Sequence, residues 1–420
     1  MGIMDAYCVG QVGFLRKEKI MARELAFALI NPYTIAKSRT GGVIARFIGR
    51  TDLDLVAARM FGPSIELVER YSDLVRHADP EHPDTCGLIA DYILKSYSQD
   101  PVEGKPRRVM LLVFEGEDAV ARIWRVTGSA TSKIATGETI RDTYGDYIVD
   151  ENGKVQYFEP AVLVAPNHKR MLATLGLWAE YSSRDGGIIS HAADVSQGAE
   201  KTLVLLKPDN FRFHSARPGN IIDLLSSSGL RIVGVKKFHM TVAQAEDLYA
   251  PVREALRDRF AGFGATRVAD ALAREFGFEV PPETVEPICK QLGPLFARSQ
   301  FESIVKFMTG YSPSECSASE KASRGSEECL ALVYEGLDAV NKIRGILGAT
   351  DPNKARQGSV RREFGHDIMV NAAHASDSPE NALRELKIIN VEEDTIKPLF
   401  DRYCREWQER GDVERSKPKD

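Results

Sequence analysis

The chain has 420 residues, 43% of them hydrophobic, 27% charged and 8% aromatic. That length predicts two or three domains at roughly 100–200 residues each, and the near-average composition excludes collagen-like, low-complexity and wholly disordered chains. Sixty acidic against 55 basic side chains leave a formal charge of −5, so charge gives no reason to expect a nucleic-acid partner.

No apolar run approaches the roughly 18–20 residues of a membrane span, and Val109–Phe114 and Ala161–Ala165 are strand-sized. No membrane partner is expected. Six cysteines (Cys8, Cys86, Cys289, Cys316, Cys329 and Cys404) include no C-x-x-C pair, which reads as free thiols in a reducing compartment. Arg16, Lys17 and Lys19 have no apolar core behind them, and a cytoplasmic location is expected.

Residues 1–21 read as an N-terminal extension. From Glu24 an apolar strand runs to Asn31-Pro32, a helix opens at Gly41-Gly42, and a second strand follows over Leu53–Met60. The same order returns over Lys201–Met240: Leu203–Leu206 ends at Lys207-Pro208, then come a helix at Gly219–Ser227 and a strand at Arg231–Lys237. Val113-Phe-Glu-Gly116 answers Val333-Tyr-Glu-Gly336, and Arg141 with Tyr144-Gly145 answers Arg361 with Phe364-Gly365, both at an offset of 220. Such constancy predicts a tandem duplication. The first copy is placed at 22–185, a Ser- and Gly-rich linker at 186–197, the second copy at 198–400 and a solvated tail at 401–420.

Within the second copy, Val242–Asp258 reads as a helix with Thr241 as its N-cap. Residues 261–295 read as a helical insertion, and 309–328, dense in Ser, Glu and Gly, as a mobile surface loop. Phe301–Met308 and Leu337–Leu347 read as helices, Leu330–Tyr334 and Ile368–Ala372 as strands, and a last helix opens at Ser378-Pro379. Strands and helices mix without strict alternation, which predicts an α+β sandwich, an antiparallel sheet covered by helices.

The sharpest chemical signal is His374, placed at a strand end and followed by Ser376 and Asp377. Glu385 lies on the next helix, where it can turn back and orient the ring. Lys207, Arg344 and Arg361 add cations, Asn371 an amide, and Thr350 and Ser376 hydroxyls. Singly, each has a structural reading: a core histidine, a paired helix arginine, a solvated lysine. Together they are what polyphosphate recognition with a nucleophilic histidine requires.

This order of residues resembles the nucleoside diphosphate kinases. The motifs Leu-Leu-Lys207-Pro-Asp, Tyr249, Val-Tyr-Glu-Gly336, Arg344 and Gly348-Ala-Thr350-Asp-Pro352 fall in family order. So do Gly358-Ser-Val-Arg361, Asn371, His374, Ser376-Asp377-Ser378 and Glu385. The resemblance implies two ferredoxin-like α/β sandwiches, each a four-stranded antiparallel sheet covered by helices. It implies a phosphotransferase that moves the γ-phosphate of a nucleoside triphosphate to a nucleoside diphosphate. The route would be ping-pong, through a phosphohistidine on His374, with one site per chain.

Glu385 and Ser376 would then fix the imidazole, and Lys207, Tyr249, Arg344, Thr350, Arg361 and Asn371 would hold phosphates and ribose. Ile304 and Ile368 fall at apolar base-contact positions, while the family's stacking aromatic falls at Gln300 beside Phe301. Mg²⁺ would arrive with the nucleotide, without protein ligands. A homo-oligomer is implied, three chains forming a pseudo-hexamer or else a dimer. The first copy departs from the pattern: Asn31 stands for Lys207, Tyr33 for Asp209, Trp124 for Arg344 and Ala130 for Thr350, while Arg141 answers Arg361. Counting back from Pro166 as the partner of Pro379 puts Ala161 at the His374 position. The first copy therefore reads as a scaffold. The alternative for the whole chain is a non-enzymatic nucleotide-binding scaffold or sensor with an impaired kinase site.

Overall fold

Leu25–Ile30, Val109–Phe114 and Leu203–Leu206 are apolar at every position, and every one of these residues is buried. Runs of that kind form strands covered on both faces. In the computed structural model, which describes residues 23–102, 104–132, 136–190 and 198–415, they do so. The expected extension at 1–21 and residues 191–197 of the expected linker lie outside the described residues.

The strands are β1 (Glu24–Ile30), β2 (Asp54–Phe61), β3 (Val109–Gly116), β4 (Asp146–Val149), β5 (Val155–Glu159) and β6 (Val162–Val164), followed by β7 (Glu200–Leu206), β8 (Arg231–His239), β9 (Glu328–Gly336) and β10 (Ala373–Ala375). β4 and β5 pair as a hairpin; the others form one antiparallel sheet in the order β10-β7-β9-β8-β2-β3-β1-β6. Each half thus has the order fourth-first-third-second, the split βαβ arrangement of a ferredoxin-like fold. Both second strands carry a register shift at the same place, between Leu55 and Ala57 and between Ile232 and Gly234. The expected pair of four-stranded sheets is present, and its edges join.

The join is short and guarded by charge. β2 meets β8 through Arg59 and Lys236, whose side chains are both buried. Arg59 donates to the carbonyls of Ser182, Gly186, Glu392 and Glu393. Lys236 donates to the carbonyls of Ile389 (3.0 Å) and Asn390 (2.9 Å) and to the Glu393 carboxylate. Burial pushes both cations below their ordinary pKa, and the neighbouring Glu393 carboxylate opposes this in each case. Below the strands, the Thr40–Thr51 and Arg217–Ser226 helices cross at Gly41 and Gly219. A Cβ on Gly219 would strike the backbone of Gly41 and Ala45, and one on Gly41 would strike Gly219 and Asp223.

Five expectations change. Val242–Asp258 is not one helix: a capped Val242–Leu248 helix ends at Tyr249, and Pro251 precedes a new helix, Val252–Phe276. Proline lacks the N–H that would continue the first helix. The new helix pairs with Pro282–Thr309 as an antiparallel hairpin, so the expected insertion at 261–295 is the tip of two long helices. Within the expected loop at 309–328, Pro313–Glu315 and Ala318–Lys321 form helical turns, the second opened by a capping box at Ser317.

The expected strand Ile368–Ala372 is displaced to Ala373–Ala375. The Asp367 carboxylate accepts from the amides of Met369 (2.7 Å) and Val370 (2.8 Å), making a turn, and Ala372 sits at φ +70°. The expected tail is a helix, Ile396–Arg415. Ile396 and Tyr403 are buried, His168 Nε2 lies 2.9 Å from the Tyr403 hydroxyl, and the His168 and Trp407 rings are 4.3 Å apart. The spacing 396, 399, 400, 403 and 407 lays an apolar stripe on an otherwise polar helix. No helix among the described residues is long and apolar enough to cross a membrane.

The crossing gives a direct test. Gly219→Ala places a methyl group against helix backbone, and the expected cost is about 1–3 kcal/mol. Urea unfolding should show the loss as a lower midpoint. An unchanged midpoint would show that the crossing does not need glycine.

Candidate functional site

β10 is three residues long, and its backbone sets the site. Ala372 turns the chain through positive φ, and its carbonyl accepts from the Lys207 amide at 3.0 Å. His374 then pairs with Leu205 across the sheet. Its imidazole meets the Tyr249 ring edge-on, with centroids 5.7 Å apart. Nε2 lies 3.1 Å from Glu385 Oε1, off the line of a good hydrogen bond.

Glu385 is buried on the Pro379–Ile389 helix, which Ser378 caps by accepting from the Asn381 amide. The Ser376 hydroxyl donates to Glu385 Oε2 at 2.6 Å. Burial raises the carboxyl pKa, but His374 first, then Ser376 and Arg384, outweigh it and hold the group below its ordinary value. A carboxylate beside Nε2 favours the proton on that nitrogen and leaves the lone pair on Nδ1.

Lys207 follows β7 and is buried. Its ammonium donates to Asn371 Oδ1 at 2.7 Å and to the Met369 carbonyl at 3.1 Å. Burial, with help from the charge on Arg361, pushes its pKa down to about 8. Asn371 in turn donates to the carbonyls of Thr350 (3.0 Å) and Ile368 (2.9 Å). Arg361 donates to the carbonyls of Gly348 (2.8 Å) and Ala373 (3.1 Å), so its guanidinium braces the strand that carries His374. Burial and then Arg344 lower its pKa to about 10.

Arg344 is exposed and makes no hydrogen bond or ion pair among the described residues. It lines a groove of about 500 Å³ with Gly348, Thr350, Arg356, Arg361 and Ala375. His374 is not among the residues that line that groove. Ile304 is half-buried on the Pro282–Thr309 helix, packed against the apolar cluster that contains Tyr249. Ile368 is exposed in the turn before Asn371.

Sequence reading missed several neighbours. Phe307 lies three residues after Ile304, a helical repeat that could have flagged it, with Lys207 Nζ 6.0 Å and Arg212 5.6 Å from its ring. Phe301, beside the expected base platform, is buried and covered by Arg253 at 4.0 Å. Asp209 is not free; Arg217 holds it at 2.6 Å. The Tyr249 hydroxyl is buried without a hydrogen-bond partner among the described residues.

The first half keeps this backbone and changes its side chains. Arg141 donates to the carbonyls of Gly128 (2.8 Å) and Val162 (3.1 Å), the same two contacts that Arg361 makes. That places Val162 opposite Ala373 and Leu163 opposite His374, a match the register of β6 on β1 repeats. Ala161 is therefore not the His374 counterpart; it answers Ala372 and shares its positive φ, +59°. The N-caps Asn167 and Ser378 correspond, which displaces the Pro166–Pro379 alignment by two residues. Asn31, in the place of Lys207, donates to Glu159 at 3.1 Å and accepts from the Tyr97 hydroxyl at 2.7 Å. Tyr92 also donates to Glu159, at 2.7 Å, closing a buried network of neutral donors around one carboxyl.

Residues 200–261 and 298–395 match the family model for nucleoside diphosphate kinase. The second half is similar to the nucleoside diphosphate kinases. The nucleoside diphosphate kinase of Helicobacter pylori is 29% identical over 187 residues, 44% of this chain and 92% of that protein. That of Chlamydia muridarum is 28% identical over 200 residues, 48% of this chain and 99% of its own. The crystal structure of the Aquifex aeolicus nucleoside diphosphate kinase is 27% identical and covers 47% of this chain and 98% of that chain. Its TM-score is 0.30, so the fold assignment rests on the strand order alone. The family match breaks over 262–297, where the helical hairpin projects.

Glu385 yields a pH prediction. A carboxyl held below its ordinary pKa contributes stability that is present above the unfolded value and lost as pH falls through the folded one. Glu385→Gln is expected to cost about 1–3 kcal/mol at pH 7. Urea unfolding should show that difference shrinking in acid, below the ordinary carboxylate range. A constant difference across pH would contradict the ionised contact.

Proposed function

We propose that the second half transfers the γ-phosphate of a nucleoside triphosphate to a nucleoside diphosphate through a phosphohistidine at His374, with one working site per chain. The observation that carries this reading is the chain Ser376–Glu385–His374, which sets a carboxylate beside Nε2 and so favours the lone pair on Nδ1. In the first step the Nδ1 lone pair bonds to the γ-phosphorus. The bond from that phosphorus to the bridging oxygen breaks, and the diphosphate leaves with the electron pair. In the second step a terminal oxygen of another diphosphate attacks the phosphorus and the N–P bond breaks, returning the lone pair to Nδ1.

Phosphoryl transfer depends on alignment and on neutralising charge spread over oxygens. Lys207, Arg344 and Arg361 supply that charge, and Thr350, Asn371 and Tyr249 supply polar contacts to phosphate and ribose. Mg²⁺ belongs to the substrate on this reading, neutralising the β- and γ-phosphates. The groove's charged groups are arginines, a donor set suited to phosphate oxygens rather than to a metal. The first half is a retired copy: its Leu163 has no lone pair to offer, and Glu159 occupies the region where a phosphate would need cations.

Two measurements test the reading. Incubation with γ-labelled ATP should leave acid-labile label on the wild type and none on His374→Ala. The double variant His374→Ala, Leu163→His should also stay unlabelled, because the first half has Asn31 and Trp124 where the second has Lys207 and Arg344. An unlabelled wild type sinks the enzyme and leaves the nucleotide-binding scaffold.

The second measurement follows Lys207. Its charge is present below about pH 8 and lost above it. ADP affinity of the free protein should fall about tenfold between ~pH 7 and ~pH 9, the worth of one charge-assisted hydrogen bond. Lys207→Arg, which keeps its charge, should flatten that profile. An equally steep profile in the variant would assign the titration elsewhere.

A further inference from the structure

Arg384 stands one position before Glu385 on the Pro379–Ile389 helix, and its guanidinium leaves that helix to reach another. Nη1 donates to the Asp247 carbonyl at 2.8 Å, and Nη2 donates to the Leu248 carbonyl at 3.2 Å. Both carbonyls lie in the last turn of the Val242–Leu248 helix. A helix leaves its final carbonyls without partners of its own, and an arginine is suited to take them. Nε adds a longer bond to Asn381 Oδ1, at 3.3 Å, so all three guanidinium nitrogens are directed.

The same Nη2 lies 3.9 Å from Glu385 Oε1, the oxygen that faces His374 Nε2 at 3.1 Å. The residue after Leu248 is Tyr249, whose ring meets the imidazole edge-on. One guanidinium therefore touches the carboxylate on one side of His374 and the helix end that carries the ring on another. At their far ends the two helices are joined separately, where Gln244 donates to the Ile388 carbonyl at 2.9 Å. Glu385 is faced by His374 from β10, by Tyr249 from that helix end and by Arg384 from its own helix. Of these, the guanidinium keeps its charge across the whole neutral range.

The first half is without this tie. With Asn167 opposite Ser378, Ala173 stands for Arg384 and Thr174 for Glu385. The Ile65–Arg76 and His168–Asp185 helices still pack together there, with exposed ion pairs, Arg70 to Glu180 and Arg184 to Glu66, between them. A sandwich of this kind thus assembles without an arginine at this position, and the arginine goes with the histidine.

We propose that Arg384 is a positioning residue: anchored on the carbonyls beside Tyr249, it holds the Glu385 carboxylate in place against His374 Nε2. It acts through Glu385 and does not touch the nucleotide. Its kinetic consequence rests on the phosphohistidine reading above; its effect on Glu385 does not.

Two measurements on the full chain test it. Carbon-13 NMR of the side-chain carboxyls should show the Glu385 titration midpoint higher in Arg384→Ala by about half a pH unit or more, since a nearby opposite charge is lost. Arg384→Lys, which keeps the charge, should bring the midpoint back toward the wild-type value. An unchanged midpoint in Arg384→Ala would overturn the proposal. In the second measurement, labelling from γ-labelled ATP at saturating nucleotide should slow about fivefold or more in Arg384→Ala, but less than about twofold further when Glu385→Gln is already present. Equal factors in the two backgrounds would overturn the action through Glu385. If the wild type takes no label, the phosphotransfer reading fails and the carboxyl midpoint alone decides. If Arg384→Ala does not fold, Arg384→Gln takes its place in both measurements with the same outcomes.

Discussion

Gly41 and Gly219 let two helix backbones touch, and the rest of the molecule is arranged around that approach. With no Cβ between them, the helices come close enough for β2 and β8 to meet edge to edge. Two edges that would otherwise present unpaired backbone groups thereby cover one another. The meeting buries Arg59 and Lys236, which must find acceptors. Lys236 takes the carbonyls of Ile389 and Asn390, at the end of the helix that carries Glu385. A helix C-terminus is where a cation is favoured. The seam therefore reaches the candidate site: the lysine that closes the sheet edge also anchors the helix whose carboxylate faces His374.

The two halves are a comparison made within one chain. Arg141 and Arg361 make matching contacts, and Ala161 and Ala372 share one unusual backbone conformation. These features belong to the fold, since they survive where Leu163 stands in place of His374. The contrast lies in the side chains around them. The second half keeps Lys207 buried with its pKa depressed to about 8, a strained arrangement on stability grounds alone. The first half puts Asn31 there and fills the space with Tyr92, Tyr97 and Glu159. Buried charge without a full counter-charge is retained in one half and removed from the other, as expected if only one half needs it.

Much of this was legible because it is local. Strand-to-proline endings, the glycine starts of helices and the offset of 220 are patterns of neighbouring residues, and they located both copies. The set around His374 was legible because its residue types match their chemistry. Errors arose where distant groups decide. The Ala161 assignment counted from a proline, whereas an Asn167 cap and a β6 register govern the alignment. Residues 401–420 read as tail because the charge of the Ile396–Arg415 helix hides a stripe that matters only once His168 and Tyr71's neighbour Trp178 define the first half's surface and core.

By itself the sequence determined two sheet-forming copies, one with the full set of residues around His374 and one depleted copy. Those follow from composition, periodicity and residue type, which act over a few residues at a time. Only the tertiary structure decided that the copies share one sheet, that Arg361 braces β10 as well as lining the groove, and that a cavity opens at the seam. Each of these depends on groups 50 or more positions apart being brought within contact distance, or, for Arg361, on the displaced register of β10. A lysine's charge can be read from its letter. Whether it faces water, a carbonyl or another cation is set by what packs against it.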